Sequence, residues 1–158
     1  AALNGWERAA GGVGVVASTV GNVTNRSSMF EGATAFNKDI SAWNMSDVLD
    51  MSKMFKDAAA YDNDSVALNN WQRVGGSNVA SVTNMESMFE GASVFNQDIS
   101  EWNVSGVTGA THMKNMFKNA IAFDQPIYKW TLNATAPSVN DMFSGANAML
   151  VTYGPLGA

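Results

Sequence analysis

Residues Val82 to Trp102 read VTNMESMFEGASVFNQDISEW. In this stretch the pair Met88-Phe89 is followed by Phe95 six residues after the Phe, by Ile99 after ten and by Trp102 after thirteen. Working outward, the same series restarts at Met29-Phe30, Met54-Phe55, Met116-Phe117 and Met142-Phe143, five copies with a period of about 25 residues. All eight phenylalanines fall in two columns of it: Phe30, Phe55, Phe89, Phe117 and Phe143 in one, and Phe36, Phe95 and Phe123 in the other, where Tyr61 and Met149 complete the set. A fixed period of this length marks one supersecondary unit stacked on copies of itself, because a single unit cannot bury its own apolar face.

Two further columns suggest what that unit is. Ile40, Ile99 and Ile127 precede Trp43, Trp102 and Trp130, and Met45, Val104 and Leu132 follow; an insertion in the second copy shifts the equivalents to Leu68 and Trp71. The pattern Ile-x-x-Trp-x-Val has the spacing of the strand in a leucine-rich repeat and predicts a short parallel strand. Met85, Met88 and Phe89 fit one face of a short helix, with Ser81 or Thr83 at its start, Glu86 at capping-box spacing, and Gly32, Gly91 or Gly145 closing the equivalent segment by accepting positive φ. The expected fold is therefore an α/β solenoid, a leucine-rich-repeat-like right-handed stack of about five coils. Strands line one face and short helices the other. It forms one domain over 1–158, with coils near 1–22 (partial), 23–47, 48–81, 82–109, 110–135 and 136–158 (partial). Phe30, Trp43, Phe55, Trp71, Phe89, Trp102, Phe117, Trp130 and Phe143 are its expected core.

These residues resemble the bacterial surface-protein repeat of about 26 residues found in mycoplasmal and Listeria-type lipoproteins and in many protist and algal proteins, often grouped with BspA-like leucine-rich repeats. The resemblance is closest over Val82 to Trp102 and runs from about Leu3 to Leu156; Arg26 departs from it, standing where Met51, Met85 and Met113 occur. It implies a cell-surface, adhesion or scaffold module and no particular activity.

Composition narrows the function classes. The 158 residues are 46% hydrophobic but only 15% charged, with a net charge of −5. No basic run exists, so nucleic acid and anionic lipid are poor partners. Cysteine is absent, which removes disulfides, thiolate catalysis and cysteine metal sites together. No apolar stretch approaches the roughly 18 residues of a membrane span. The chain starts Ala1-Ala2 without an initiator Met, as a processed or trimmed product would, so targeting information is expected to be gone; the resemblance implies an extracellular or cell-surface location, the alternative being an organelle lumen after cleavage of a targeting peptide. With a single histidine, His112, and no recurring nucleophile or carboxylate pair, no enzymatic activity and no cofactor are expected. Gly11-Gly12-Val13-Gly14 lacks the Lys-Ser/Thr that a phosphate loop requires and reads as a plain loop.

Three sets of polar or terminal residues remain. Asp39, Asp62, Asp64, Asp98 and Asp124 precede the expected strands, where stacked carboxylates could ligate Ca²⁺, although Asn and Asp in such loops more often bond nearby backbone N–H groups. Asn22, Asn25, Asn44, Asn63, Asn103 and Asn133 each begin an Asn-x-Ser/Thr sequon, a glycan acceptor in a eukaryotic secreted protein. Leu3, Asn4 and Trp6 at one end, and Tyr153 and Leu156 at the other, fall in the Ile/Trp register and mark the two edges of the stack. The expected function is a non-enzymatic extracellular structural repeat protein that self-associates end to end or laterally in a surface layer or filament, its expected partners being protein, by homotypic stacking or in a larger assembly, with glycans as further candidates. The alternative is a binding or accessory module, an adhesin or a scaffold subunit.

Overall fold

A computed structural model describes residues 23–41, 43–69, 71, 79–130, 132, 139 and 141–149. The leucine-rich-repeat-like α/β solenoid expected from the repeat is not what forms. Among the described residues there is a three-residue 3-10 helix at Asn63–Ser65 and a helical turn at 147–149, with no sheet. Strand pairing is reduced to isolated parallel bridges joining Asn25 to Asp50 and Asp50 to Asn84. Each copy is instead a succession of tight turns, and the copies lie side by side in register.

The reason lies in where the backbone N–H groups go. In the segment around Met29-Phe30, the amides of Arg26, Ser28, Phe30 and Gly32 donate to the carbonyls of Asp50, Ser52, Met54 and Lys56 in the next copy, at 2.7–2.9 Å. The intervening amides of Met29, Glu31 and Ala33 turn back to Arg26, Ser28 and Phe30, three residues earlier. A helix would send every one of them to the residue four before it. The alternation repeats with Met51, Lys53, Phe55 and Asp57 donating to Asn84, Glu86, Met88 and Glu90, and again from Met85, Ser87, Phe89 and Gly91 to His112, Lys114, Met116 and Lys118.

Such alternation demands left-handed backbone at two fixed places in each copy. Ser28, Lys53, Ser87, Asn115 and Asp141 form one column of positive φ, from 54° to 60°. Gly32, Asp57, Gly91, Asn119 and Gly145, four residues later, form the second, from 57° to 77°. Gly carries no penalty there and Asn and Asp a reduced one. A helix this short is marginal in water, so bonds to a neighbouring copy outweigh it.

The Ile-x-x-Trp spacing is likewise a turn and not a strand. Trp43, Trp71, Trp102 and Trp130 each donate their amide to the carbonyl three residues earlier, on Ile40, Leu68, Ile99 and Ile127. Apolar residues recur every three positions because each such pair brackets one turn, which places both side chains inward.

Inside, the aromatic columns stack. Rings of Phe30, Phe55, Phe89, Phe117 and Phe143 follow one another at 5.4–5.6 Å, within 10° of parallel. Phe36, Tyr61, Phe95 and Phe123 run beside them at 5.6–6.0 Å, and each copy joins its two rings at 3.9–4.1 Å. These are offset stacks, a geometry worth about 0.5–1.5 kcal/mol per pair beyond area burial. Phe55, Phe89, Phe117, Trp71 and their methionine neighbours Met54, Met88 and Met116 are fully buried, whereas Trp130 is only partly so.

Gly91 and Gly32 occupy the same column, but a Cβ on Gly91 would run into the Asp57 side chain while one on Gly32 meets open space. Gly32→Ala should therefore cost only the left-handed penalty, about 1 kcal/mol, and Gly91→Ala distinctly more, as read by urea unfolding of the two variants. Equal losses would contradict the packing described.

Candidate functional site

Copy meets copy through three polar ladders beside the backbone bonds. The first belongs to tryptophan: the indole N–H of Trp71 donates to the Ile40 carbonyl at 2.9 Å, Trp102 to Leu68 at 3.0 Å and Trp130 to Ile99 at 3.0 Å. The Trp column thus fills the interior and also staples each copy to the one before it. The second ladder is made by Asn and Asp side chains. Asn37 Oδ1 accepts the amides of Asp62 and Asp64, Asp62 Oδ1 accepts that of Asn96, and Asn96 Oδ1 accepts that of Asp124, all at 2.9 Å.

The third ladder is ionic. The residue after each column Phe is Glu31, Lys56, Glu90, Lys118 and Ser144, alternating in sign until the last. Glu90 lies 3.0 Å from Lys56 and 3.8 Å from Lys118. Burial pushes the Glu90 carboxyl up, but hydrogen bonds from Lys56 and Ser87 and the charges of both lysines outweigh it, so the group titrates below the usual carboxylate range. The hydrogen bond to Glu90 likewise raises Lys56, against a smaller opposing effect of burial.

Of the calcium candidates, Asp39 Oδ1 accepts the Ser41 amide and Asp98 Oδ1 that of Ser100, while Asp62 is committed to Asn96. Asp64 is exposed and presents its amide to Asn37; Asp124 is half-buried. No group of three acidic or histidine side chains among the described residues is placed to hold a metal ion. The structure spreads the five carboxylates along the stack and does not bring them together.

The sequons divide sharply. Asn25 is exposed, and Asn44 and Asn103 are half-buried with Oδ1 accepting the amide two residues on. Asn63 is fully buried: its Oδ1 accepts the Ile40 amide at 2.9 Å and the Tyr61 hydroxyl at 3.2 Å, and its Nδ2 donates to the Val66 carbonyl at 2.8 Å. A glycan has no room there. The same enclosure, together with Asp39 and Asp62, drives the Tyr61 hydroxyl well above the usual phenol value. Asn22 and Asn133 lie outside the described residues, as do the interface candidates Leu3, Asn4, Trp6, Tyr153 and Leu156 and the loop Gly11-Gly12-Val13-Gly14.

What sequence reasoning missed is the asymmetry of the two ends. At the first, Val23 is 42% and Met29 40% exposed, whereas Val48, Val82, Met54 and Met88, their counterparts further along, are at 1% or less. Among the described residues no donor meets the carbonyls of Asn25, Ser27, Met29 and Glu31, whose equivalents in the next copy each accept an amide. At the other end an apolar cleft of about 340 Å³ opens beside Ile127, Trp130, Leu132, Val139 and Met149. There the amides of Phe143 and Gly145 meet no acceptor among the described residues, although Phe117 and Asn119 one copy earlier donate to Met142 and Ser144. Among the described residues, the first copy thus leaves acceptors and the last leaves donors. Arg26, which stands where Met51, Met85 and Met113 occur in the later copies, is 2% exposed, its guanidinium 5.1 Å from the Trp43 ring centroid and donating to the Asn44 carbonyl at 3.0 Å.

A family model described as "Mycoplasma protein of unknown function, DUF285" matches the chain twice, over residues 14–76 and 66–153. No curated protein and no solved structure matches it.

Replacing Trp102 by Phe keeps the ring in the column and removes one of the two bonds to the Leu68 carbonyl, which keeps the Trp71 amide. The expected loss is about 0.5–1.5 kcal/mol in urea unfolding, and no measurable loss would refute the staple. Because the folded Glu90 pKa lies below its ordinary value, its contribution is complete above about pH 4.5 and disappears as pH falls through the lower folded value. Glu90→Gln should remove that part of the acid destabilisation while costing about 0.5–1 kcal/mol at pH 7, measured by unfolding across pH 2–7.

Proposed function

Since the chain belongs to the DUF285 family of Mycoplasma proteins of unknown function, we propose that it is a non-catalytic structural repeat module that joins end to end with further copies of the same repeat. The observation that carries this reading is the complementarity of its ends. Among the described residues, the carbonyls of Asn25, Ser27, Met29 and Glu31 in the first copy meet no donor, and the amides of Phe143 and Gly145 in the last meet no acceptor. Inside the stack the same groups pair at 2.7–2.9 Å. An added copy would extend the Phe column and cover Val23, Met29 and the cleft, so apolar burial and backbone pairing favour the same contact.

The polarity also dictates symmetry. Two first ends brought together would set carbonyl against carbonyl in this segment, so the contact is heterologous and open, the kind that grows a filament and not a two-fold dimer. A place in a surface layer rests on the resemblance of the repeat to surface-protein repeats. The absence of cysteine and the single histidine support a role without catalysis.

The test is a mixing experiment with one blocked end per variant. The parent chain should grow in mass with concentration by light scattering. Val23→Asp and Val139→Asp should each be monomeric alone, and together should form a dimer and no more, because only one compatible pair of ends remains. A parent chain that stays monomeric, or a Val23→Asp protein that dimerises by itself, would overturn the proposal.

A further inference from the structure

All ten methionines lie among the described residues, and nine of them are between 0% and 7% exposed. The exception is Met29, at 40%. Its column partners Met54, Met88, Met116 and Met142 are at 0%, 0%, 0% and 4%. Met29 therefore differs from them by position and not by chemistry: it is the first member of its column, and no described copy covers it. Thioether oxidation follows access of the oxidant to sulfur.

We propose that Met29 is an oxidative modification site, and that its sulfoxide blocks the end face; the second half rests on the end-to-end reading above. The oxidant is a hydroperoxide. The sulfur lone pair attacks the distal peroxide oxygen, the O–O bond breaks and an S–O bond forms. Sulfur gives up two electrons, and with hydrogen peroxide the other oxygen leaves as water.

The consequence at the face is physical. In the stack this column is dry, and thioethers fit it because they are apolar and adaptable. A sulfoxide adds a strong acceptor near the Met29 carbonyl, at a face where the carbonyls of Asn25, Ser27, Met29 and Glu31 meet no donor among the described residues. On closure the new oxygen either competes with those carbonyls for the incoming amides or is buried without a donor, and both weaken the contact. Conversely, an incoming copy would bury Met29 as Met54 is buried, so a closed end protects itself. Open and closed ends thus differ in reactivity, and oxidised and reduced ends differ in adhesion.

The test uses the whole chain and limiting hydrogen peroxide, with peptide mass spectrometry for the site and light scattering for association. Met29 should convert first, at least about tenfold faster than any of the other nine. The oxidised chain should lose concentration-dependent growth, and Met29→Leu should keep it after the same dose. Oxidation spread evenly over several methionines would overturn the modification site. Equal loss of association in Met29→Leu would overturn its role at the face. A reduced parent chain that never associates would remove the end-to-end reading and this regulatory role with it, while the oxidation map would still decide the site.

Discussion

Every second amide in the Met-Phe segment bonds outside its own copy, and the architecture follows from that commitment. An amide that points sideways to a neighbouring copy cannot also point along a helix, so the chain must reverse its hand at regular places. Within this segment it does so twice per copy, at the Ser28 and Gly32 columns. Left-handed residues cost of order 1–2 kcal/mol each where a Cβ is present, and Lys53 in the first column shows that this cost is tolerated. The bonds it permits, the aromatic stacks beneath them and the burial of the Met column together outweigh it. None of these gains is available to one copy alone.

Stability is consequently a property of neighbours. Phe55, Phe89 and Phe117 each have a column ring on either side at about the same spacing, and Phe30 at the edge of the described column is less enclosed. The polar ladders add register. Tryptophan indoles, Asn and Asp carbonyl oxygens, and the alternating charges after each Phe all join residues about one repeat apart, so slipping a copy by one residue would break every ladder together. Alternation of Glu and Lys also penalises a stack in which like-signed copies become neighbours. A structure built this way has well-defined faces between copies, and among the described residues the first and last copies leave the same groups without partners.

The repeat, its period and the residues that turn inward were legible in the sequence, because two aromatic columns and a Trp column recur at fixed spacings. Element type was not. Met85, Met88 and Phe89 satisfy a helical period, and Ile99 and Trp102 a leucine-rich-repeat strand, yet both spacings are equally those of a three-residue turn. Only the partner of each amide separates these readings, and that partner lies in another copy. Gly32, Asp57, Gly91, Asn119 and Gly145 form a column of the residues that best accept positive φ, which a helix C-terminus and a left-handed turn explain equally well. The charge ladder was readable from the residue after each Phe. The buried role of Asn63 was not, since its sequon looks like the others and only the enclosing Ile40, Tyr61 and Val66 distinguish it.

The most direct measurement is residue-resolved amide hydrogen exchange on the dilute chain, repeated as concentration rises. The amides of Phe55, Phe89 and Phe117, each bonded to the next copy, should exchange slowly at every concentration, whereas those of Phe143 and Gly145 should be fast when dilute and slow as ends meet. Slow exchange of Phe143 and Gly145 in the isolated chain, or fast exchange of Phe89, would contradict the claim that bonds between copies hold this structure together and that the last described copy leaves the same bonds unmade.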